Sequence, residues 1–403
     1  MRRGDRRGGT IGGVDARVDV IVIGLGAMGS AAAYHLARLG TRVIGLDALA
    51  PPHDRGSSHG ATRITRLAIG EGAHYVPLVM RSHQLWREIE AETGADLLTE
   101  CGGLILGREG AQRSHGSTRF LDRTIGAARQ SGIGHEVLAA AEVRRRFPQF
   151  AVADDERGYY EPSAGFVRPE ACVGAQLELA RRHGARLVTG ERVLAVEADG
   201  AGVRVRTAGA TYVAGRAVIT AGPWVGGLLP PAVSRLFTVS RQVLYWFAPA
   251  GPPERYMPGV FPIFIQTGDS DADICYGFPI ADGPGDGVKV ATEQFGEATT
   301  ADAPRDGVTA KEIAAMRRRA VRLLPELTGP CVRSVTCLYT CTPDFGFVID
   351  VLPDSPQILV ASPCSGHGFK HSAAVGEAIG QVLARGGSDI DLAPFALRRV
   401  TLP

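Results

Sequence analysis

The chain contains no unbroken apolar run of the roughly 20 residues that a membrane-crossing helix requires. It has no excess of one charge. Its 44 Lys and Arg face 42 Asp and Glu, and a net charge of +2 offers no field for nucleic acid. Cysteine is scarce: seven, an odd number, are scattered through a long chain. That excludes a small disulfide framework and favours free thiols in a reducing, cytoplasmic compartment. Metal-site spacing is also missing. Cys337 and Cys341 are four apart, with no second cysteine pair and no suitable histidine pair to complete a ligand set.

What is present is a chain of 403 residues, long enough for two domains, and rich in glycine at 52 residues, as expected of an α/β protein with many tight turns. Residues 1–17 are Arg- and Gly-rich and read as a disordered extension. Val18 to Ile23 then forms a short apolar strand that runs into Gly24-Leu25-Gly26-Ala27-Met28-Gly29. A helix over Ser30 to Leu39 and a strand over Thr41 to Leu46 follow, closing on Asp47. This order is a dinucleotide-binding fingerprint. Gly24 permits the tight turn, Gly26 lets the backbone approach a pyrophosphate, Gly29 lets helix pack on strand, and Asp47 accepts ribose hydroxyls. The pattern does not separate FAD from NAD.

The next segment, 51–66, is basic and polar. If Ser57 or Ser58 caps a short helix, His59, Arg63 and Arg66 share one face, which either holds negative charge beside the dinucleotide site or is a solvated basic loop. Farther on, the pattern predicts helices over Val79 to Glu92, Ala139 to Arg146, Glu170 to His183 and Lys311 to Leu323. Strands are expected at Gly102 to Gly107, at Ala185 to Thr189 continuing through Val193, at Ala217 to Thr220, and at Ser240 to Ala248. Two more are expected, at Ile274 to Phe278 and Val288 to Val290. In the last of these, Lys289 points away from its two valines, toward solvent or toward something that needs a cation. Val335, Cys337, Tyr339 and Cys341 alternate, about 6.6 Å between successive members, and share one strand face. There Cys337 is either a buried inert thiol or a group that meets a ring system together with Tyr339. Strand Gln357 to Ala361 feeds a Gly-rich loop, Ser365-Gly366-His367-Gly368-Phe369-Lys370, that opens onto a helix over His371 to Arg385 and suits an anionic group.

From about Val18 to the C-terminus these segments resemble the monomeric sarcosine oxidase and N-methyltryptophan oxidase family, FAD-dependent amine oxidases of the glutathione-reductase-like group. The resemblance is carried by GSSHGATRITR at 56–66, Ile69-Gly70-Glu71-Gly72, CLYTCTPD at 337–344 and SGHGFKHS at 365–372. It implies an α/β fold, with a Rossmann-type FAD-binding domain over 18–97, 160–232 and 334–403. A second α+β substrate domain on a mixed or antiparallel sheet is implied over 98–159 and 233–333. It further implies that Cys337 attaches FAD through a thioether and that Lys289 stands near flavin N5 and assists reaction with O2. His59 and Arg63 lie close to the flavin ring, Arg66 and Lys370 grip a substrate carboxylate, and Tyr276 and Tyr339 line the substrate site. Val193, Gly366 and Gly368 fall at cofactor positions. One position departs from the pattern: where sarcosine-oxidising members carry a histidine four residues after the lysine, this chain has Glu293. The implied activity is that of a monomeric oxidase of secondary amines, producing an imine and hydrogen peroxide, with a small amine or amino acid as substrate. Alternatives are a tailoring oxidase of a pipecolate- or proline-like imino acid, and a flavin dehydrogenase with an acceptor other than oxygen.

Overall fold

The computed structural model of the protein describes residues 18–110, 113–114, 117–268, 274–304 and 307–400. The expectation for 1–17 lies outside the described residues.

Two large sheets organise the chain. The first has eight strands, and its centre is parallel. Val18–Ile23 lies between Val43–Asp47 and Thr211–Ile219, with Arg186–Thr189 beyond the former and Ser355–Ser362 beside the latter. Parallel strands need crossovers, and helices supply them. Ala27–Arg38 packs on one face between Pro169–Arg182 and Ser372–Arg385. Helix Val76–Thr93 lies beside them and fully buries Leu85 and Trp86. Truncating a tryptophan so placed costs roughly 3–5 kcal/mol.

The predicted extension of Ala185 to Thr189 through Val193 does not occur. Gly190 has a φ of 77° and breaks the strand, and Val193–Asp199 joins the far edge of the sheet as a partner of Gly202–Thr207.

The second sheet has nine strands and is antiparallel, except where Ile263–Gln266 runs parallel to Gly103–Arg108. Cys331–Cys341 pairs with Thr238–Phe247 in this sheet. The expected domain boundary at 334 therefore falls inside a strand of the second sheet, and the boundary at 160 falls inside Glu156–Glu161 of the same sheet. Two-residue alternation gives the sheet two unlike faces. Val243, Tyr245, Phe247, Val288 and Val290 point into an apolar core with Met316, Ala320 and Leu323 of the helix Ala310–Leu323. The other face presents Leu244, Trp246, Lys289, Ala291, Tyr276, Phe278, Cys337 and Tyr339 toward the loop after the fingerprint.

Among the described residues no helix is long and apolar enough to cross a membrane, and no cluster of His, Cys, Asp and Glu could hold a metal ion. All seven cysteines are free.

Candidate active site

A cleft of about 740 Å³ runs along the carboxyl ends of the parallel strands. The fingerprint forms one wall as its residues dictate. Gly24 has a φ of 87°, open to glycine at little cost. A side chain at Gly29 would overlap the carbonyl of Gly24, so helix and strand meet only because it is absent. Asp47 holds the turn, its carboxylate accepting the N–H of Leu25 at 2.7 Å and of Leu49 at 2.8 Å. Gly24, Gly26, Asp47, Val193, Gly366 and Gly368 all line the cleft, and so do Thr220 to Trp224.

The segment 57–66 corrects the sequence reading. There is no helix, and His59, Arg63 and Arg66 share no helical face. Gly60 and Ala61 have φ values of 96° and 66°, which no right-handed helix accommodates. The β-branched Thr62, Ile64 and Thr65 favour strand, and Arg63–Thr65 pairs antiparallel with Gly165–Val167. Ser58 does cap a helix, though a distant one: its Oγ accepts the N–H of Ala27 at 3.2 Å, at the start of Ala27–Arg38.

Strand phase separates the two arginines. Arg63 lines the cleft and donates to the Ser57 carbonyl at 2.7 Å, the Thr62 carbonyl at 2.9 Å and Cys337 Sγ at 3.5 Å. Burial works against its charge. Cys337, Tyr339, Tyr276 and Glu170 outweigh that and hold the guanidinium above its ordinary value. His59 is buried on the same loop and is not among the residues lining the cleft.

Lys289 is 1% exposed, which settles its direction. Cross-strand pairing sets it beside Trp246 and Phe278, and Nζ lies 5.3 Å and 4.3 Å from their ring centroids. Its three hydrogens are used by the carbonyls of Gly60 and Thr62, each at 2.7 Å, and by Thr62 Oγ1 at 3.0 Å. Burial first, and the Arg63 charge second, push its ammonium well below the usual lysine range.

Cys337 is 2% exposed. Its Sγ does not itself line the cleft. It sits behind Ser57 and Arg63, which do, at 3.6 Å from the Ser57 carbonyl. Tyr339, two residues on, reaches the cleft, and its hydroxyl meets that of Tyr276 at 3.2 Å. Burial pushes the Tyr276 phenol up to about 12 and raises Tyr339 as well, so both are neutral donors and acceptors at physiological pH.

Arg66 and Lys370 come together, and they do so around a carboxylate of the protein itself. Arg66, 2% exposed, donates to Glu71 Oε2 at 2.7 Å and also bonds the Ala68 carbonyl. Lys370 Nζ lies 3.6 Å from Glu71 Oε1 and donates to the His367 carbonyl at 2.9 Å. Burial, opposed by Glu71 and aided by Arg66, brings the Lys370 ammonium down to about 8. The sequence reading gave Glu71 no role, although an acid five residues after a buried arginine is a signal of a charge partner. Glu293 is 5% exposed, accepts from Ser114 Oγ at 3.0 Å, and acts electrostatically on Tyr276, Tyr339 and Lys370.

The cleft fits an elongated dinucleotide on two observations independent of the fingerprint. Ser57 Oγ and Ser362 Oγ are buried hydroxyls with no partner among the described residues, and both residues line the cleft. At its far wall the positive-φ turn Ser365-Gly366 precedes the helix Ser372–Arg385 and leaves N–H groups near the opening.

A parallel sheet with a nucleotide cleft at its strand ends, facing a second sheet that carries buried cations and phenols, defines a flavin-type oxidoreductase. Comparison with known proteins agrees: residues 19–382 match the family of FAD dependent oxidoreductases, and the chain belongs to it. The chain is 43% identical to monomeric sarcosine oxidase of Streptomyces avermitilis, over 95% of this chain and 97% of that one. It is 35% identical to N-methyl-L-tryptophan oxidase of Yersinia pestis, over 94% and 99%. Among solved structures, the open form of NikD, an amino acid oxidase of nikkomycin biosynthesis, shares the fold with a TM-score of 0.81, at 24% identity and covering 94% and 97%.

Proposed function

We propose that this enzyme oxidises the secondary amine of an N-methyl or cyclic amino acid, with oxygen as the acceptor and hydrogen peroxide and an imine as products. The eight-stranded sheet and its helices hold FAD, and the nine-stranded sheet supplies the substrate face. When bound, FAD supplies the two-electron acceptor. The observation that carries the reading is the clasp of Arg66 and Lys370 on one carboxylate, with the Glu293 charge acting both on Lys370 and on the hydrogen-bonded Tyr276–Tyr339 pair. Two buried cations share the single Glu71 carboxylate, which leaves one positive charge in excess to hold the carboxylate of an amino acid through charge-assisted bonds.

The chain's residues divide the remaining tasks. Tyr276 and Tyr339 exclude water and orient the amine. Arg63 and Lys289 place positive charge where negative charge develops on the bound cofactor and on oxygen. Lys289, its hydrogens committed to the loop, acts through its charge. Cys337 forms the covalent link, and Arg63 donates a hydrogen bond to its sulfur at 3.5 Å. The free thiols support a reducing, cytoplasmic setting.

A peroxide-release screen over N-methyl and cyclic amino acids tests the reading. Turnover is expected with amino acids and lost with amines that lack the carboxylate. Oxygen consumption without stoichiometric peroxide would contradict it, and so would electron transfer only to an artificial acceptor. Colour retained in the acid-washed pellet of wild type and lost in Cys337→Ala tests the link. A second reading narrows this to a pipecolate- or proline-like imino acid rather than an N-methyl one, and the observation that favours it is the buried Glu293 charge acting on Tyr276 and Tyr339. The screen decides between the two by which class has the higher kcat/KM.

A further inference from the structure

Lys289 and Arg63 are both held by carbonyls of one loop, 57–62, so the loop itself must be held. Its conformation is not self-supporting. Ala61 lies in the left-handed region at a φ of 66°, where an L-residue with a Cβ pays roughly 1–2 kcal/mol. Gly60, at 96°, favours glycine, and a Cβ there would come within 2.7 Å of Leu244 Cδ1, which would have to shift. Such backbone persists where its surroundings over-determine it.

The group that over-determines it is Glu170, in the first turn of Pro169–Arg182. One carboxylate oxygen, Oε1, accepts the N–H of Gly60 at 2.6 Å and of Ala61 at 3.2 Å. The Ala61 N–H and the Gly60 C=O belong to one peptide unit, and in a trans peptide they point in opposite directions. The Gly60 C=O is the group that accepts Lys289 Nζ. A single rigid peptide therefore has the Glu170 carboxylate on one side and the Lys289 ammonium on the other. We propose that Glu170 is the positioning residue of this cation pair, aiming the loop's carbonyls at Lys289 and balancing the charge of Lys289 and Arg63.

Electrostatics point the same way. The charged and titratable groups acting on Lys289 are Arg63, Glu170, Cys337 and Arg333, and Glu170 draws both Lys289 and Arg63 toward their charged forms. Without its charge, Lys289 would lose its proton at lower pH.

The inference rests on the reading of Lys289 and Arg63 as cations beside bound FAD, and its test separates the two. Glu170→Gln keeps the accepting oxygen and removes the charge, whereas Glu170→Ala removes both. The holoenzymes are compared with wild type and with Lys289→Met for flavin content, flavin midpoint potential, and rate of reoxidation by oxygen against pH. Glu170→Gln is expected to keep its flavin, to shift the potential to more positive values at pH where Lys289 stays charged, and to move the alkaline fall of reoxidation to lower pH. Its reoxidation should slow about tenfold, the order expected of a group acting through another. Glu170→Ala should lose more, and because it also weakens the loop, Glu170→Gln decides. A wild-type potential and pH profile in Glu170→Gln, with Lys289→Met slowed, would overturn the role of Glu170 and leave that of Lys289 standing. So would a change in melting temperature alone. Wild-type reoxidation in both variants would overturn both roles.

Discussion

The cleft and the buried charge cluster are built by different means. At the fingerprint end the backbone makes the site: glycines permit a turn and a close approach, and the anchoring acid, Asp47, accepts N–H groups only a few residues away from it or from the turn. The charge cluster is made of buried side chains with the half-buried Arg63, each charge has a partner, and of its cations Arg63 alone is among the residues lining the cleft. Arg66 and Lys370 have Glu71, while Lys289 and Arg63 have the carbonyls of 57–62 with Glu170 behind them. A buried charge without a partner costs several kcal/mol, so the partners come with the charges. The backbone cleft is of a kind shared by many nucleotide-binding proteins, whereas the charge cluster is where the proposed choice of substrate and acceptor would lie.

That contrast can be broken or sharpened by substitution. The largest effect is expected from Gly29→Val, where the new side chain meets the Gly24 carbonyl: the protein should purify without flavin, as its absorbance would show. Lys289→Met should leave reduction by substrate near wild type and slow reoxidation by about 100-fold, the size of effect of removing one preorganised electrostatic group. Stopped-flow of the two half-reactions separates them. For Lys370 the sign follows from its ammonium at about 8. The charged form holds a carboxylate, so binding is intact below that pH and is lost as pH rises through it. The inhibition constant of a simple carboxylate without an amine should be flat below about pH 8 and weaken by about tenfold per unit above. The smallest effect is expected from Ser58→Ala, which removes the acceptor at the start of Ala27–Arg38. It should cost about 1 kcal/mol, read as a lower melting temperature.

The same contrast explains what the sequence disclosed. The fingerprint, the strand phase that put Cys337 beside Tyr339, and the helices with apolar faces were legible, because their causes are local. The segment 57–66 was misread: spacing allows a helix, and only the positive φ values at Gly60 and Ala61, with pairing to Gly165–Val167, forbid one. Periodicity gave Lys289 a direction but not a destination. That depends on Thr62, which lies 227 residues away along the chain. Glu71 and Glu170 were passed over for the same reason, since their roles exist only once distant segments meet. Two pairs named through resemblance do meet, Tyr276 with Tyr339 and Arg66 with Lys370 around Glu71, whereas the helical face named through spacing does not form. A family pattern carries tertiary contacts that a single periodicity does not.

If buried charges select the substrate while the backbone cleft holds the cofactor, Arg66→Met separates the two. Flavin content and kcat/KM are measured in one preparation, for the best amino-acid substrate and for its counterpart without the carboxylate. The account predicts wild-type flavin content, a loss of about 100-fold or more for the amino acid, as expected for a charge-assisted pair, and little change for the amine. Equal losses for both substrates, or loss of flavin, would contradict it.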